Sequence, residues 1–307
     1  MYFPKASFSR LAFYIYSMKT FRIVGVPEHF NFPFRLLAQR QPLKSEGITI
    51  EWTEESKGSG QMSKYLREGE VEMAILLTES FFKEVQDGNP ILMAGFHVLS
   101  PLVWGIHVKP DLEAESISEI RNPHFLVSRM GSGSHLMAKV LAESAKWNSK
   151  SLTFEQIGNM DGAKEAFSKG NEGMFLWEKY TTAPEVKKHA MKRIGEVKSP
   201  WPCFVMAVSK KSLGKFPGIA QKVRDGIYSL IREVLAMEKV SEVLSEEYHL
   251  DQNDVDSWLV QTEWCQKPEI SLSQIESIQD RLVHFDILDK RIPLDEILLS
   301  DGISLLS

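Results

Sequence analysis

The sequence predicts an α/β fold with two lobes, and three observations support this prediction. Strand-like runs alternate with helix-like runs through the first hundred residues or so, as is typical of α/β folds with a largely parallel sheet. Two similar segments, 102–112 and 203–213, each consist of an apolar strand followed by lysine, polar residues and a leucine. The length of 307 residues favours about two domains. We therefore predict that a second lobe is inserted into the first.

Four strand-like runs define the first lobe, at 20–26, 48–55, 72–80 and 91–98. The run at 72–80 is almost entirely apolar, as expected of a strand that is covered on both faces. Helix-like stretches follow the first three runs. Because ligands collect outside the carboxyl ends of strands in open α/β sheets, we expect the connections after these strands to lie close together.

The similar segments set the predicted domain boundaries. Lobe 1 takes 19–104 and 205–307, with helices at its C-terminal end, and lobe 2 takes 105–204. Residues 1–18 are predicted as a tail or an upstream extension. Each lobe would be a mixed sheet flanked by helices. The two chain crossings would form a two-strand hinge, an arrangement that can close around a ligand.

Composition and charge exclude several classes of protein. The chain is 43% hydrophobic and 25% charged, which is enough apolar material to fill a core. Its net charge of −5 disfavours a nucleic-acid binder. No apolar run is long enough to cross a bilayer, so we expect no integral membrane segment. The two cysteines, Cys203 and Cys265, have no metal-binding spacing and are predicted to be buried and unpaired.

The N-terminal residues bear on location. The apolar run from Leu11 to Tyr16 is short, and no small-residue cleavage site follows it, so it is a poor signal peptide. Met18, followed by Lys19 and Thr20, looks like a natural start. A cytoplasmic location is therefore favoured, and a periplasmic one applies if the true start lies elsewhere.

The stretch "SRMGSGSHL" (128–136) joins an apolar strand to a helix. Glycines at a helix start let a ligand approach the free N–H groups of the first turn, and the helix dipole favours a negative charge there. A carboxylate, sulfonate or phosphate suits such a junction. The alternative is that the serines only cap the helix. The candidate residues of this junction are Arg129, Gly131, Ser132, Gly133, Ser134 and His135.

Four other junctions share a polar and aromatic character, at 26–33, 54–62, 77–81 and 175–181. Taken singly, each aromatic residue suits a core and each acid suits a solvated loop. Their repeated position after strands favours a pocket for a small polar, partly flat ligand. The candidate ligand-binding residues here are Glu28, His29, Asn31, Ser59, Gly60, Thr78, Glu79, Trp177, Glu178 and Tyr180.

These segments carry a family resemblance. "FRIVGVPEHFNFPFRLLAQ", "GSGQMSKYLREGEVEMAILLTES", "RMGSGSHLMA" and "YHLDQNDVDSWLVQTEW" resemble the type II periplasmic-binding-protein fold. Within that fold they are similar to ABC-transporter substrate-binding proteins of the branch that binds sulfonates and thiamine pyrimidine precursors. The resemblance implies two α/β lobes, a ligand in the cleft, a helix start after Arg129 that faces the ligand, and an ABC permease as partner.

We therefore predict a solute-binding protein that closes two lobes over a small polar or anionic metabolite, such as a thiamine pyrimidine precursor or a sulfonate. One alternative is an enzyme of thiamine or pyrimidine metabolism that reuses the fold, and another is a cytoplasmic metabolite sensor. The sequence has no cysteine cluster, no HExxH and no GxSxG motif. We accordingly predict no catalytic residue, no metal and no cofactor.

Overall fold

The computed structural model describes residues 18–299 and 301–306, and within them twelve strands and twelve α-helices. The strands are β1 (Lys19–Gly25), β2 (Ile48–Glu54), β3 (Met73–Leu77), β4 (Ile91–Val98), β5 (Val103–Val108), β6 (His124–Val127), β7 (Thr153–Gln156), β8 (Met174–Glu178), β9 (Lys192–Lys198), β10 (Phe204–Ser209), β11 (Glu269–Ser271) and β12 (Ser304–Leu306). The helices are α1 (Phe32–Arg40), α2 (Ser59–Glu68), α3 (Thr78–Gln86), α4 (Gly133–Ser144), α5 (Met160–Ser168), α6 (Ala183–Lys187), α7 (Lys210–Lys215), α8 (Ile219–Leu235), α9 (Val240–Tyr248), α10 (Gln252–Gln261), α11 (Leu272–His284) and α12 (Leu294–Ile297).

Two five-stranded mixed sheets organise these elements, which confirms the predicted fold class. Their strand orders are β2-β1-β3-β10-β4 and β7-β6-β8-β5-β9, and β11 pairs with β12 in a small third sheet. In the first sheet β10 runs antiparallel to both neighbours, whereas β1, β2 and β3 are parallel. In the second sheet β5 is the reversed strand.

The reversed strands follow from the path of the chain between the sheets. The chain leaves the first sheet after β4, crosses at 99–102 and enters the second sheet as β5. It returns after β9, crosses at 199–203 and enters the first sheet as β10. Each entering strand starts at the edge where the parallel strands end, and so it runs opposite to them. The two segments that look alike in the sequence thus directly follow the crossings.

The two crossings are hydrogen-bonded to each other. The Ser199 N–H donates to the Leu102 carbonyl at 3.0 Å, and the Leu102 N–H donates to the Ser199 hydroxyl at 2.9 Å. The Cys203 N–H donates to the Ser100 carbonyl at 3.2 Å. These hydrogen bonds between the crossings connect the two sheets at one end of the cleft between them.

Helix α3 begins earlier than the sequence indicates. The strand predicted at 72–80 ends at Leu77, and Thr78 is already the first residue of α3. Its N–H donates to the carbonyl of Cys203 at 3.0 Å, so the crossing just before β10 fixes the point where the helix starts. Thr78 and Glu79 therefore lie in the first turn of a helix and not in a loop, because an apolar run does not distinguish a buried strand from a buried helix start.

The C-terminal helices cover the first sheet. Helix α8 buries a stripe of apolar residues, and the Tyr228 hydroxyl on this helix donates to the Phe96 carbonyl of β4 at 2.8 Å. Cys203 and Cys265 are both buried and unpaired, as predicted. The helices thus close the face of the sheet and leave the carboxyl ends of its parallel strands free to line the cleft.

Candidate ligand-binding site

A cavity of about 100 Å³ lies between the two five-stranded sheets, where their parallel strands end. Each sheet contributes both loop residues and the first turn of a helix to its wall. The lining residues are Val26, Glu28, Lys57, Gly58, Ser59, Gly60, Leu77, Ser80, Leu102, Trp104, Ser128, Arg129, Ser132, Gly133, Ser134, Gly158, Trp177, Glu178 and Phe204.

Helix α4 begins in the wall of this cavity. Ser132 is its N-cap, and the Ser132 hydroxyl oxygen accepts a hydrogen bond from the His135 N–H at 3.4 Å. The backbone N–H groups of Gly133 and Ser134 have no acceptor within residues 18–299 and 301–306. A Cβ at Gly133 would lie 2.7 Å from Cδ1 of Leu77, so glycine lets the first turn of α4 approach the end of β3 without a shift of this side chain.

Helix α2 begins on the opposite wall. Gly58 precedes it with a φ of 73°, and the Ser59 hydroxyl accepts from the Leu77 N–H at 3.1 Å. A Cβ at Gly60 would overlap the Arg129 guanidinium, so Arg129 reaches from the second sheet across the first turn of α2. Within the part of the chain that the structure describes, Arg129 forms no ion pair, and its charge is available to a ligand.

Two carboxyl groups face the same cavity from the two sides. Glu28 follows β1, and Glu178 ends β8; the residues are 8% and 3% exposed. Burial raises the pKa of Glu28 well above its usual range, and the negative charge of Glu178 raises it further. Burial also raises the pKa of Glu178, and this rise is opposed by the Thr181 N–H, which donates to the Glu178 carboxylate at 2.6 Å.

A third buried acid, Glu79, lies directly behind the start of α4. Its carboxylate accepts from the Trp201 indole N–H at 2.8 Å, and a Cβ on Gly133 would lie 3.1 Å from its Oε1. Burial raises the pKa of Glu79 to about 7. Burial, together with the charges of Glu79 and Glu28, raises the pKa of the Cys203 thiol well above its usual range. Cys203 is therefore a protonated structural thiol.

The structure brings nine of the sixteen predicted ligand-binding residues together in the cavity wall. They come from both sheets, and they include both helix starts. These residues are Glu28, Ser59, Gly60, Arg129, Ser132, Gly133, Ser134, Trp177 and Glu178.

Three further predicted residues shape the connections beside the cavity. Gly131 adopts a φ of 77° and is exposed, and a Cβ there would meet nothing within 4 Å. The His135 Nδ1 accepts from the Gly131 N–H at 3.1 Å, and the imidazole packs edge-on against Phe154. The Asn31 amide donates to the Val26 carbonyl at 2.8 Å, which fixes the turn after β1.

The other four predicted residues are buried outside the wall. His29 packs against Trp258 at 4.1 Å between ring centres, and burial lowers its pKa to about 3. Tyr180 lies edge-on to His29, and its hydroxyl accepts from the Gln261 amide at 2.8 Å. Thr78 and Glu79 lie in the buried first turn of α3, as described above. The contacts of His29 and Tyr180 come from α10, late in the chain, and those of Thr78 and Glu79 come from the crossing at 199–203, and local sequence patterns reveal neither.

The sequence analysis did not single out several wall residues. Lys57 lies in the same "SKGSG" stretch as Ser59 and could have been found from its position beside a helix start. Leu102 ends the first crossing, Trp104 and Phe204 lie at the starts of β5 and β10, and the resemblance between the two segments was their only signal. Apolar residues at a hinge carry no chemical signature of binding.

Residues 18–299 and 301–306 contain no group of three or more His, Cys, Asp or Glu side chains that could hold a metal ion. Among the helices in those ranges, none is both long and apolar enough to span a membrane.

Known proteins are similar to this chain in sequence and in structure. The sequence model of the Ca3427-like PBP family matches residues 104–197. The structure of the Candida albicans CA3427 gene product, described as having the generic periplasmic-binding-protein fold, is similar with a TM-score of 0.81 and 24% identity over 94% of this chain and 98% of that one. No curated protein sequence matches the chain.

Two sulfonate-binding proteins are also similar in structure. The alkanesulfonate-binding protein SsuA from Xanthomonas axonopodis pv. citri, bound to MOPS, has a TM-score of 0.71 at 15% identity over 94% of this chain and 98% of its own. The aliphatic sulphonate binding protein SsuA from Escherichia coli has a TM-score of 0.68 at 14% identity over 92% and 98%. The two mixed sheets, the paired crossings and these similarities together show that the chain has the type II periplasmic-binding-protein fold.

Proposed function

We propose that this protein binds a small solute and holds an anionic group of that solute between its two lobes. One observation carries the proposal: two helix starts, one from each side of the cleft, line a single cavity together with the guanidinium of Arg129. A bound anion would contact both sides at once. Its binding energy would therefore favour the closed arrangement of the lobes.

The local chemistry supports an oxyanion in particular. The first-turn N–H groups of α2 and α4 are donors, the helix dipoles are positive at these ends, and Arg129 adds a full charge. Serine hydroxyls at Ser59 and Ser134 provide further donors. A tetrahedral sulfonate can accept several such hydrogen bonds at the same time.

The size of the cavity limits the rest of the ligand. A volume of about 100 Å³ is smaller than the cavity of 150 Å³ that holds a benzene molecule in another protein. The rest of the ligand is therefore small, such as a short chain, with Trp177 available as an apolar surface. A short alkanesulfonate is the first candidate, because proteins of this fold with similar structures are named as sulfonate binders. Two statements remain predictions: that the ligand is a thiamine pyrimidine precursor, and that the partner is an ABC permease.

Thermal unfolding in the presence of propanesulfonate, short carboxylates and pyrimidines tests the proposal. A ligand at a hundred times its Kd stabilises the folded state by about 2.7 kcal/mol, which raises the melting temperature by several degrees. We expect propanesulfonate to give such a shift and mass spectrometry to recover it chemically unchanged. Recovery of a converted product would instead support the enzyme alternative.

Two arginine variants of the second lobe provide the control. Arg129→Gln should weaken propanesulfonate binding tenfold or more, because a charge-assisted hydrogen bond contributes roughly 1.5–3 kcal/mol. Arg121→Gln removes an exposed arginine away from the cavity and should leave binding unchanged. If no tested anion raises the melting temperature, or if both variants bind equally well, the proposed anion site is wrong.

A further inference from the structure

The cavity wall contains a pair of acidic residues. Binding of an anion alone does not account for their presence there. Glu28 belongs to the connection between β1 and α1, and Glu178 to the end of β8, so the two carboxyl groups belong to different sheets. Both residues are more than nine-tenths buried. They lie close enough for the charge of Glu178 to act on Glu28. Two like charges brought together in a cleft oppose its closure.

The protein supplies no basic partner to this pair within the residues that the structure describes. Within residues 18–299 and 301–306, the Glu28 carboxylate accepts no hydrogen bond, and no Lys or Arg side chain forms an ion pair with either acid. Glu178 receives the Thr181 N–H at 2.6 Å. Burial therefore favours the protonated form of Glu28, and a cation placed beside it would stabilise the carboxylate instead.

The space around Glu28 is open to such a group. A second cavity, of about 110 Å³, lies beside the first and shares Val26, Glu28 and Trp177 with it. Glu28 therefore faces unfilled space on both sides. The indole of Trp177 lines both cavities, and its face can attract a cation.

We propose that the ligand is a small zwitterion whose protonated nitrogen lies between Glu28 and Glu178 while its anionic group lies at the starts of α2 and α4. This inference rests on the proposed function and adds the second charge of the ligand. The cation would be held by one carboxylate from each side of the cleft, just as the anion is held by one helix start from each side. Both ends of the ligand would thus favour closure.

A matched set of sulfonates tests the inference by calorimetric titration. Aminopropanesulfonate carries the cation, propanesulfonate lacks it, and hydroxypropanesulfonate has a neutral donor of similar size. We expect the wild-type protein to bind aminopropanesulfonate at least about tenfold more tightly than the other two, since hydrogen bonds between charged groups are stronger than neutral ones.

Glu28→Gln and Glu178→Gln should abolish the preference for aminopropanesulfonate. Each variant should lose the advantage of aminopropanesulfonate over propanesulfonate, because one of the two carboxyl groups that would hold the cation is removed. Both substitutions are nearly isosteric, and the melting temperature of each variant reports that it is folded. The exposed Glu113→Gln is the control and should retain the wild-type preference.

The outcomes separate this inference from the proposed function. If wild type binds propanesulfonate and aminopropanesulfonate equally well, or if the Glu28 and Glu178 variants keep the wild-type preference, the cation site is wrong while the anion site stands. If neither sulfonate binds to the wild type, the anion site and the cation site fail together.

Discussion

At the scale of single residues, Glu79 illustrates how burial sets a charge state. It is 4% exposed, and its one side-chain partner is the neutral indole N–H of Trp201. Burial therefore raises its pKa to about 7 from a usual value of 4.5. Between these two values the folded protein holds a proton that the unfolded chain has released. The contribution of Glu79 to the free energy of unfolding must then fall as pH rises from about 4.5 to about 7 and stay level above.

Glu79→Gln should remove this pH dependence. Glutamine cannot ionise, so the variant should gain stability relative to the wild type as pH rises, by up to about 3 kcal/mol near pH 8. Urea unfolding at several pH values measures the difference, and Glu113→Gln serves as the exposed control. A pH profile of Glu79→Gln that parallels the wild type would show that Glu79 ionises normally in the folded protein.

The kinds of residue that line the cavity could be predicted from the sequence. Which individual residues line it could be predicted less well. Gly131 and Gly133 belong to one "GSGS" motif, yet only Gly133 lines the cavity, because the positive φ at Gly131 turns the chain outward before the helix begins. His29 follows Glu28 directly, but Trp258, from a helix more than two hundred residues later, covers its ring. Such packing depends on long-range contacts that a local motif cannot specify.

At the scale of elements, the start of α4 links stability to binding. The Ser132 hydroxyl accepts from the His135 N–H and donates to the Arg129 carbonyl at 2.7 Å. This one side chain therefore caps the helix and also holds the backbone of the arginine that lies across the cavity. Helix α11 has a comparable cap, since Ser271 accepts from the Gln274 N–H at 3.3 Å, far from the cavity wall.

Ser132→Ala and Ser271→Ala should separate these two roles. Each should lower the free energy of unfolding by about 1 kcal/mol through the lost cap. Only Ser132→Ala should also weaken propanesulfonate binding, because only this change releases the backbone of Arg129. Urea unfolding and calorimetric titration of the two variants provide the comparison. Equal affinities would show that the cap of α4 does not position the anion site.

The types and the order of the strands and helices could be predicted from the sequence. The boundaries of these elements and the directions of the strands could be predicted less well. A short strand-like run predicted β1, alternation of apolar and polar residues predicted β2, and the apolar run predicted β3. The beginning of α3 at Thr78 was missed, because it depends on a hydrogen bond to Cys203, in a distant part of the chain. The antiparallel direction of β5 and β10 follows from the crossings, which the sequence could locate only through the similarity of two segments.

At the scale of the whole molecule, the two proposed subsites would give the cleft opposite charges at two points. The helix starts and Arg129 would hold the anion, and Glu28 with Glu178 would hold the cation, each subsite built from both sides. A ligand that matches this distribution would connect the lobes at two points. A ligand with the charges reversed in space would meet repulsion at both. Closure would therefore select for charge arrangement as well as for size.

The crystal structure of the complex with propanesulfonate tests the central claim most directly. The account predicts that the sulfonate oxygens lie about 2.7–3.2 Å from the backbone nitrogens of Gly133 or Ser134 and from the guanidinium of Arg129, with the first turn of α2 on the other side. A sulfonate bound outside this cavity, or in contact with only one of the two lobes, would contradict the account.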